Sequence, residues 1–126
     1  MNTKVLLVDD EAPFVQTMKK RLARRDLSIV TAYGGCEAME VLQKENPVDV
    51  VILDVKMPGM DGMDTLRQIK LEYPEVEVIL LTGHATMEAA IEGMKLGAFD
   101  YVMKPCSIED VLVKVREAKE KTLGHE

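Results

Sequence analysis

The feature that most constrains this chain is an alternation that runs from end to end. Short apolar runs are each followed by a segment with helical spacing of apolar residues. Lys4 to Val8 is β-branched and leucine-rich and stops at acids, so it reads as a strand buried on both faces. Phe14, Met18 and Leu22 then recur four apart with Val15 beside them, and lysines and arginines fill the opposite face of that helix. Pro13 suits its first turn, where no backbone N–H is needed. Ser28 to Ala32 is a second strand, broken at Gly34-Gly35. Cys36 to Glu45 follows as a helix with Ala38, Met39 and Leu42 inward, ended by Pro47. Asp49 to Leu53 is the most continuous apolar run and belongs at the centre of a sheet.

After a Pro- and Gly-rich loop from Lys56 to Gly62, Met63 to Glu72 reads as a helix with Leu66 and Ile69 inward. Val76 to Leu81 is a strand ending at Thr82-Gly83, and Thr86 to Leu96 a helix with Gly97 as its C-terminal cap. Asp100 to Met103 is the last strand. Ser107 caps a last helix with Glu109 and Asp110 in its first turn and Ile108, Val111, Leu112 and Val115 as its apolar stripe. Strands joined by helical crossovers run parallel. The expected fold is therefore an α/β, five-stranded, doubly wound parallel sheet: one domain over residues 1–121 with a polar, frayed tail at 122–126.

The net charge of −6 argues against a nucleic-acid surface. The basic run Lys19, Lys20, Arg21, Arg24 and Arg25 reads as a solvated helix face. Cys36 and Cys106 have no metal-site spacing and suggest reduced thiols in the cytoplasm. No apolar run approaches the length of a membrane span, so no membrane association is expected.

In such a sheet, ligands bind at the carboxyl ends of the strands, near the point where strand order reverses. Those ends carry Asp9, Asp10 and Glu11, then Asp54, then Thr82, then Lys104 followed by Pro105. Singly, each has a plainer reading: Asp10 or Glu11 as a helix cap, Thr82 as a turn residue, Lys104 as a solvated charge. Together they are chemically coherent. Converging carboxylates repel one another and raise at least one pKa. A hard divalent cation such as Mg²⁺, which takes oxygen ligands, relieves that repulsion. A lysine and a hydroxyl beside them are suited to the oxygens of a phosphoryl group.

These residues resemble the receiver domains of bacterial two-component response regulators over essentially the whole chain. The resemblance rests on Asp9-Asp10 after the first strand, the stretch Leu53 to Gly62 (D-x-x-M-P-x-M-D-G), Leu81-Thr82-Gly83, and Tyr101 to Pro105. Leu81 to Ala85 is similar to receivers that sit ahead of AAA+ transcription activators.

The resemblance implies roles position by position. Asp54 is the expected phosphoacceptor. Asp9, Asp10, Asp54 and the backbone carbonyl of Lys56 are expected to hold Mg²⁺ (or Mn²⁺ in its place), Asp10 more directly than Asp9. Lys104 and Thr82 are expected on the phosphoryl oxygens, and Thr82 and Tyr101 as a paired switch. Lys56 and His84 occupy positions that tune phosphoryl lifetime. His84 reads equally as an exposed helix-start residue. Pro105 is expected to follow a cis peptide that aims Lys104 into the cleft. The implied partners are a sensor histidine kinase and an output domain or downstream protein. The resemblance also implies a face for a homodimer, formed by the last two helices and last strand, with Met87, Ala90, Met94, Tyr101 and the outer side of Ile108 to Lys119. Met87 and Met94 also read as ordinary packed residues. Met57, Met60 and Met63 are expected to pack, with Pro58-Gly59 setting a turn. His125 is expected to be idle.

The domain is thus expected to assist its own phosphorylation and dephosphorylation, with no external substrate. Three rivals compete. A haloacid-dehalogenase-like phosphatase needs a second Asp where Lys56 stands. A flavodoxin-like cofactor binder needs a hydroxyl- and Gly-rich loop where Asp9-Asp10-Glu11 stands. A pseudo-receiver that binds proteins without phosphorylation typically lacks an acid, the lysine or the hydroxyl, and all are kept here.

Overall fold

The computed structural model describes residues 3–56 and 62–124. The elements are β1 (Thr3–Val8), α1 (Ala12–Ala23), β2 (Leu27–Ala32), α2 (Gly35–Glu45), β3 (Val50–Asp54), α3 (Gly62–Glu72), β4 (Glu77–Thr82), a 3₁₀ turn (His84–Thr86), α4 (Met87–Lys95), β5 (Asp100–Met103) and α5 (Ile108–Gly124). All the strand pairs are parallel, in the order β2-β1-β3-β4-β5. The chain winds one way from β1 to β2 and the other way from β3 onward. The reversal therefore falls between β1 and β3, where Asp9 to Glu11 and Asp54 stand.

The strands alternate their side chains between two cores. Val5, Leu7, Val50, Ile52, Ile79 and Leu81 face α1 and α5. Leu6, Val8, Val51, Leu53, Val78 and Leu80 face α2, α3 and α4. Every residue of β3 and β4 is buried, which accounts for the apolar runs Val50 to Leu53 and Val78 to Leu81 that make up most of them. Each such Val, Leu or Ile contributes roughly 1.5–3 kcal/mol by leaving water. Of the residues expected inward, Val15, Met18, Leu22, Ala38 and Leu42 are buried, while Phe14 and Met39 are half-buried.

Two strand ends lie further along than their composition suggests. Asp54 is the last residue of β3 and Thr82 the last of β4, because the ladder continues past the apolar run: Asp54 pairs with Leu81 and Thr82 with Met103. Backbone bonds from Val55 N–H to the Leu81 carbonyl (3.0 Å) and from Lys104 N–H to the Thr82 carbonyl (2.7 Å) carry that order past the strand ends. The segment expected as one helix from Thr86 to Leu96 begins with the last residue of the 3₁₀ turn, Thr86, and α4 itself starts at Met87.

Two glycines are required by geometry. A Cβ at Gly62 would lie 2.5 Å from the Asp54 carbonyl oxygen and 2.6 Å from that of Val55, so α3 starts directly against the strand that carries Asp54. Gly97 has φ +108° and closes α4, as expected for its cap. At α5, Ser107 caps as expected, and the bond is reciprocal. Asp110 N–H donates to Ser107 Oγ (3.1 Å) and Ser107 N–H to an Asp110 carboxylate oxygen (3.3 Å).

The tail is corrected in part: α5 continues through Thr122 to Gly124. Thr122 donates its hydroxyl to the Ala118 carbonyl (3.3 Å), and Lys119 and Lys121 tie the helix to Asp49 and Glu77. His125 lies outside the described residues, as do Met57 and Met60 and the Pro58-Gly59 turn expected between them. Met63 lies in α3 and packs on the α2–α4 core. No helix among the described residues is long and apolar enough to cross a membrane.

Candidate functional site

The carboxyl ends of β1, β3 and β5 bring three of the expected residues together. Asp9 is fully buried and Asp54 is 6% exposed, an unusual position for carboxylates without a dedicated partner each. Lys104 reaches both from the end of β5. Its Nζ donates to Asp9 Oδ2 at 2.7 Å and stands 3.7 Å from Asp54 Oδ2, an ion pair too long for a hydrogen bond. The Lys104–Pro105 peptide is cis, as expected, and so is Asn46–Pro47, which the sequence did not signal.

The backbone orients the acids further. Asp9 Oδ1 accepts the Glu11 N–H (2.9 Å), and Asp54 Oδ1 accepts the Lys56 N–H (3.2 Å). Burial, and next the negative charge of Asp9, push the Asp54 carboxyl up from 3.8 to about 6, against the opposing pull of Lys104. Burial alone would lower the Lys104 pKa. Its hydrogen bond to Asp9 and the charge of Asp54 outweigh that and hold it above the usual lysine value.

Glu11 belongs to this cluster, although its position at the start of α1 reads as a cap. It makes no side-chain cap. Its carboxylate accepts from Lys104 at 3.1 Å, and Asp9, Glu11 and Asp54 each offer an oxygen within 4.8 Å of the others. Three consecutive acids after β1 were the available signal. Phe14 is a second residue missed: the Lys104 ammonium lies 4.5 Å from the centre of its ring, a cation–π contact that helps hold the lysine. Asp10, expected to hold the metal more directly than Asp9, is exposed and lines an open cleft of about 630 Å³ beside the buried acids. Lys56 is exposed and lines the same cleft.

The donor set fits a hard divalent cation. Three carboxylates converge on one lysine, and two of them are buried, so the cluster carries a net negative charge that oxygen-seeking Mg²⁺ or Mn²⁺ would neutralise.

The end of β4 presents a different picture. Thr82 is 1% exposed, and its hydroxyl meets the Thr86 hydroxyl at 2.7 Å. Gly83, Ala85 and Thr86 line the cleft on this side. His84 is exposed at the start of the 3₁₀ turn. Tyr101 is half-buried on β5 and packs against the α2–α4 core. On the face expected for partners, Met94 and Val113 are 37% and 48% exposed. Ala90 is fully buried and must be removed from that face: it lies on the side of α4 that packs onto the sheet.

Comparison with known proteins shows the family and the fold. A family model described as the response regulator receiver domain matches residues 5–116. The chain is 38% identical over 114 residues to the DNA-binding transcriptional regulator NtrC of Escherichia coli (strain K12), covering 90% of this chain and 24% of that protein. It is 37% identical over 114 residues to NtrC of Salmonella typhimurium, with the same coverage. The chain thus spans about a quarter of the length of these curated relatives. Among solved structures, a response regulator receiver domain protein from Clostridium thermocellum superposes with a TM-score of 0.94 at 37% identity, over 98% of this chain and 99% of that one. The receiver domain of NtrX from Brucella abortus gives 0.87 at 28% identity, over 92% and 98%.

Proposed function

The chain belongs to the receiver domains of response regulators, and from that premise we propose that Asp54 is a phosphoacceptor whose modification switches the face around Thr82 and Tyr101. The observation that carries this is Asp54 itself. It is a buried carboxylate at the strand-order reversal, 3.7 Å from a lysine and beside two further acids. A carboxyl raised to about 6 is still ionised at neutral pH and so carries the lone pair that the attack needs.

In the proposed reaction an Asp54 oxygen attacks the phosphorus of a phosphohistidine or a small acyl phosphate. A new P–O bond forms as the P–N or P–O bond to the donor breaks, and the leaving group departs with its electron pair. A leaving imidazole takes up a proton. Lys104 stands ready to leave Asp9 and Glu11 for the phosphoryl oxygens. Asp9, Asp10, Asp54 and the Lys56 backbone carbonyl are the proposed metal ligands, and Glu11 is added to them from the cluster it forms here. A divalent cation bound there supplies positive charge that offsets the repulsion between carboxylates and phosphoryl oxygens.

Thr82 is the proposed hydroxyl donor to the phosphoryl group and Tyr101 its partner in the switch. Lys56, on the cleft, and His84, between the cleft-lining Gly83 and Ala85, are the proposed lifetime-tuning positions. The proposed phosphodonor is a histidine kinase. The proposed receiver of the signal is an output domain or separate protein at the α4–β5–α5 face, where a homodimer would also form. The match to transcriptional regulators makes transcription control the proposed output.

Intact-protein mass after treatment with acetyl phosphate tests the reading. One phosphoryl group should be added with Mg²⁺, none with chelator, and none in Asp54→Asn. Absence of an adduct under all conditions, together with unchanged spectra in beryllofluoride, would leave a phosphorylation-independent interaction module as the better description.

A further inference from the structure

Thr82 has to reach an Asp54-bound phosphoryl group, yet its hydroxyl is already fully engaged. Thr82 Oγ1 and Thr86 Oγ1 are 2.7 Å apart. Thr86 Oγ1 also accepts the Gly83 N–H at 3.1 Å, and both hydroxyls lie within reach of the Gly83 carbonyl, at 3.2 Å from Thr82 and 3.3 Å from Thr86. The protons close into a ring. If Thr82 donates to Thr86, Thr86 donates to the Gly83 carbonyl. If the direction reverses, Thr82 donates to that carbonyl instead. Either way both protons are used, and no buried polar side-chain atom is left unpaired among the described residues.

We infer that Thr86 is a positioning residue: its hydroxyl latches Thr82 in the resting state and competes with the phosphoryl group for it. This rests on the phosphoacceptor reading above. A residue needed only to close the 3₁₀ turn would have to satisfy the Gly83 N–H and nothing more, and the Thr86 side chain makes no cap to α4. Thr86 does that and also spans to the residue four earlier, at the end of β4. Because Thr82 is buried, it cannot exchange Thr86 for water without moving. The bond to Thr86 therefore opposes the movement toward Asp54, and its loss should raise the population of the phosphoryl-accepting state.

The test is calorimetric titration of the full 126-residue chain with beryllofluoride in Mg²⁺. Thr86→Val keeps the shape and removes the hydroxyl. It should bind about three- to tenfold more tightly than wild type, the worth of one ordinary hydrogen bond. Thr86→Ser restores the hydroxyl and should return wild-type affinity. In a Thr82→Val background, adding Thr86→Val should change nothing, whereas a purely structural effect would appear equally in both backgrounds. Wild-type binding with unchanged or weaker binding by Thr86→Val overturns the latch alone. No binding by wild type overturns the phosphoacceptor reading and the latch with it.

Discussion

Acids meet lysines at both ends of this sheet, with opposite consequences. At the amino end they are matched. Asp49 accepts Lys119 on one oxygen and the Lys4 N–H on the other, each at 2.8 Å, and Glu77 pairs with Lys121 at 3.3 Å. At the carboxyl end Asp9, Glu11 and Asp54 share Lys104, at 2.7, 3.1 and 3.7 Å. The chemistry of the groups is the same. Their ratio differs, and so does their use. Matched pairs fasten α5 to the sheet. Two buried carboxylates and an exposed third on one ammonium leave negative charge in a poorly hydrated place, which the fold tolerates and a cation or a proton would relieve.

The largest expected effect comes from removing the shared cation. Lys104→Met should lower unfolding stability by about 3 kcal/mol at pH 7 in chelator, because it leaves buried carboxylates with no countercharge. Added Mg²⁺ should recover much of that loss. The sign with pH follows from the raised pKa of Lys104. Its contribution is fully present below the ordinary lysine value of 10.5 and disappears as pH rises through the higher folded one. Urea unfolding of both proteins at pH 7, with and without Mg²⁺, measures this. A variant as stable as wild type in chelator would break the comparison, since the acids would then need no partner.

Removing an acid from the same end should act in the opposite direction. In the folded protein Asp54 titrates at about 6, against 3.8 when unfolded. Between those values the folded state holds the proton more firmly. The stability that the protonated carboxyl contributes is therefore complete below about pH 4 and lost as pH rises through 6. At neutral pH the ionised group costs on the order of 2–3 kcal/mol. Asp54→Asn should be more stable than wild type by that amount at pH 7 in chelator, and the two should converge near pH 4. Denaturant midpoints across that range decide it. An Asn variant that is less stable at pH 7 would place Asp54 among the matched pairs.

How much of this was legible depends on the distance between sequence pattern and consequence. The central strands β3 and β4 were legible because burial on both faces forces continuous apolar runs, and Asp100 to Met103, half-buried, was bounded correctly by its short run alone. The meeting of Asp9, Asp54 and Lys104 was legible too, since a doubly wound sheet gathers its strand ends. Glu11 and Phe14 were not. Whether Glu11 caps α1 or reaches Lys104 is a choice of rotamer, and Phe14 keeps its helical spacing whether its ring meets the core or the ammonium. The Thr82–Thr86 bond was hidden for a related reason. It depends on a 3₁₀ turn that brings residues four apart into line, where the sequence suggested a helix start at Thr86. The extension of α5 was masked because the residues there are polar, and two of them, Lys119 and Lys121, are held by ion pairs to Asp49 and Glu77 that are tertiary.

The smallest expected effect is at the amino end, and it sharpens the contrast most. Lys119→Met removes a cation from a matched pair that is about a quarter exposed on each side. Asp49 keeps the Lys4 N–H and gains access to water, so the loss should be only about 1 kcal/mol, and less at high salt. Beryllofluoride affinity should stay within twofold of wild type, because nothing at that end touches the cleft. The same urea titration and the same calorimetry used for the carboxyl end measure both quantities. If Lys119→Met costs as much as Lys104→Met, charge ratio is not what separates the two ends. If it changes beryllofluoride binding, α5 carries strain from one end of the sheet to the other, and the amino end is part of the switch.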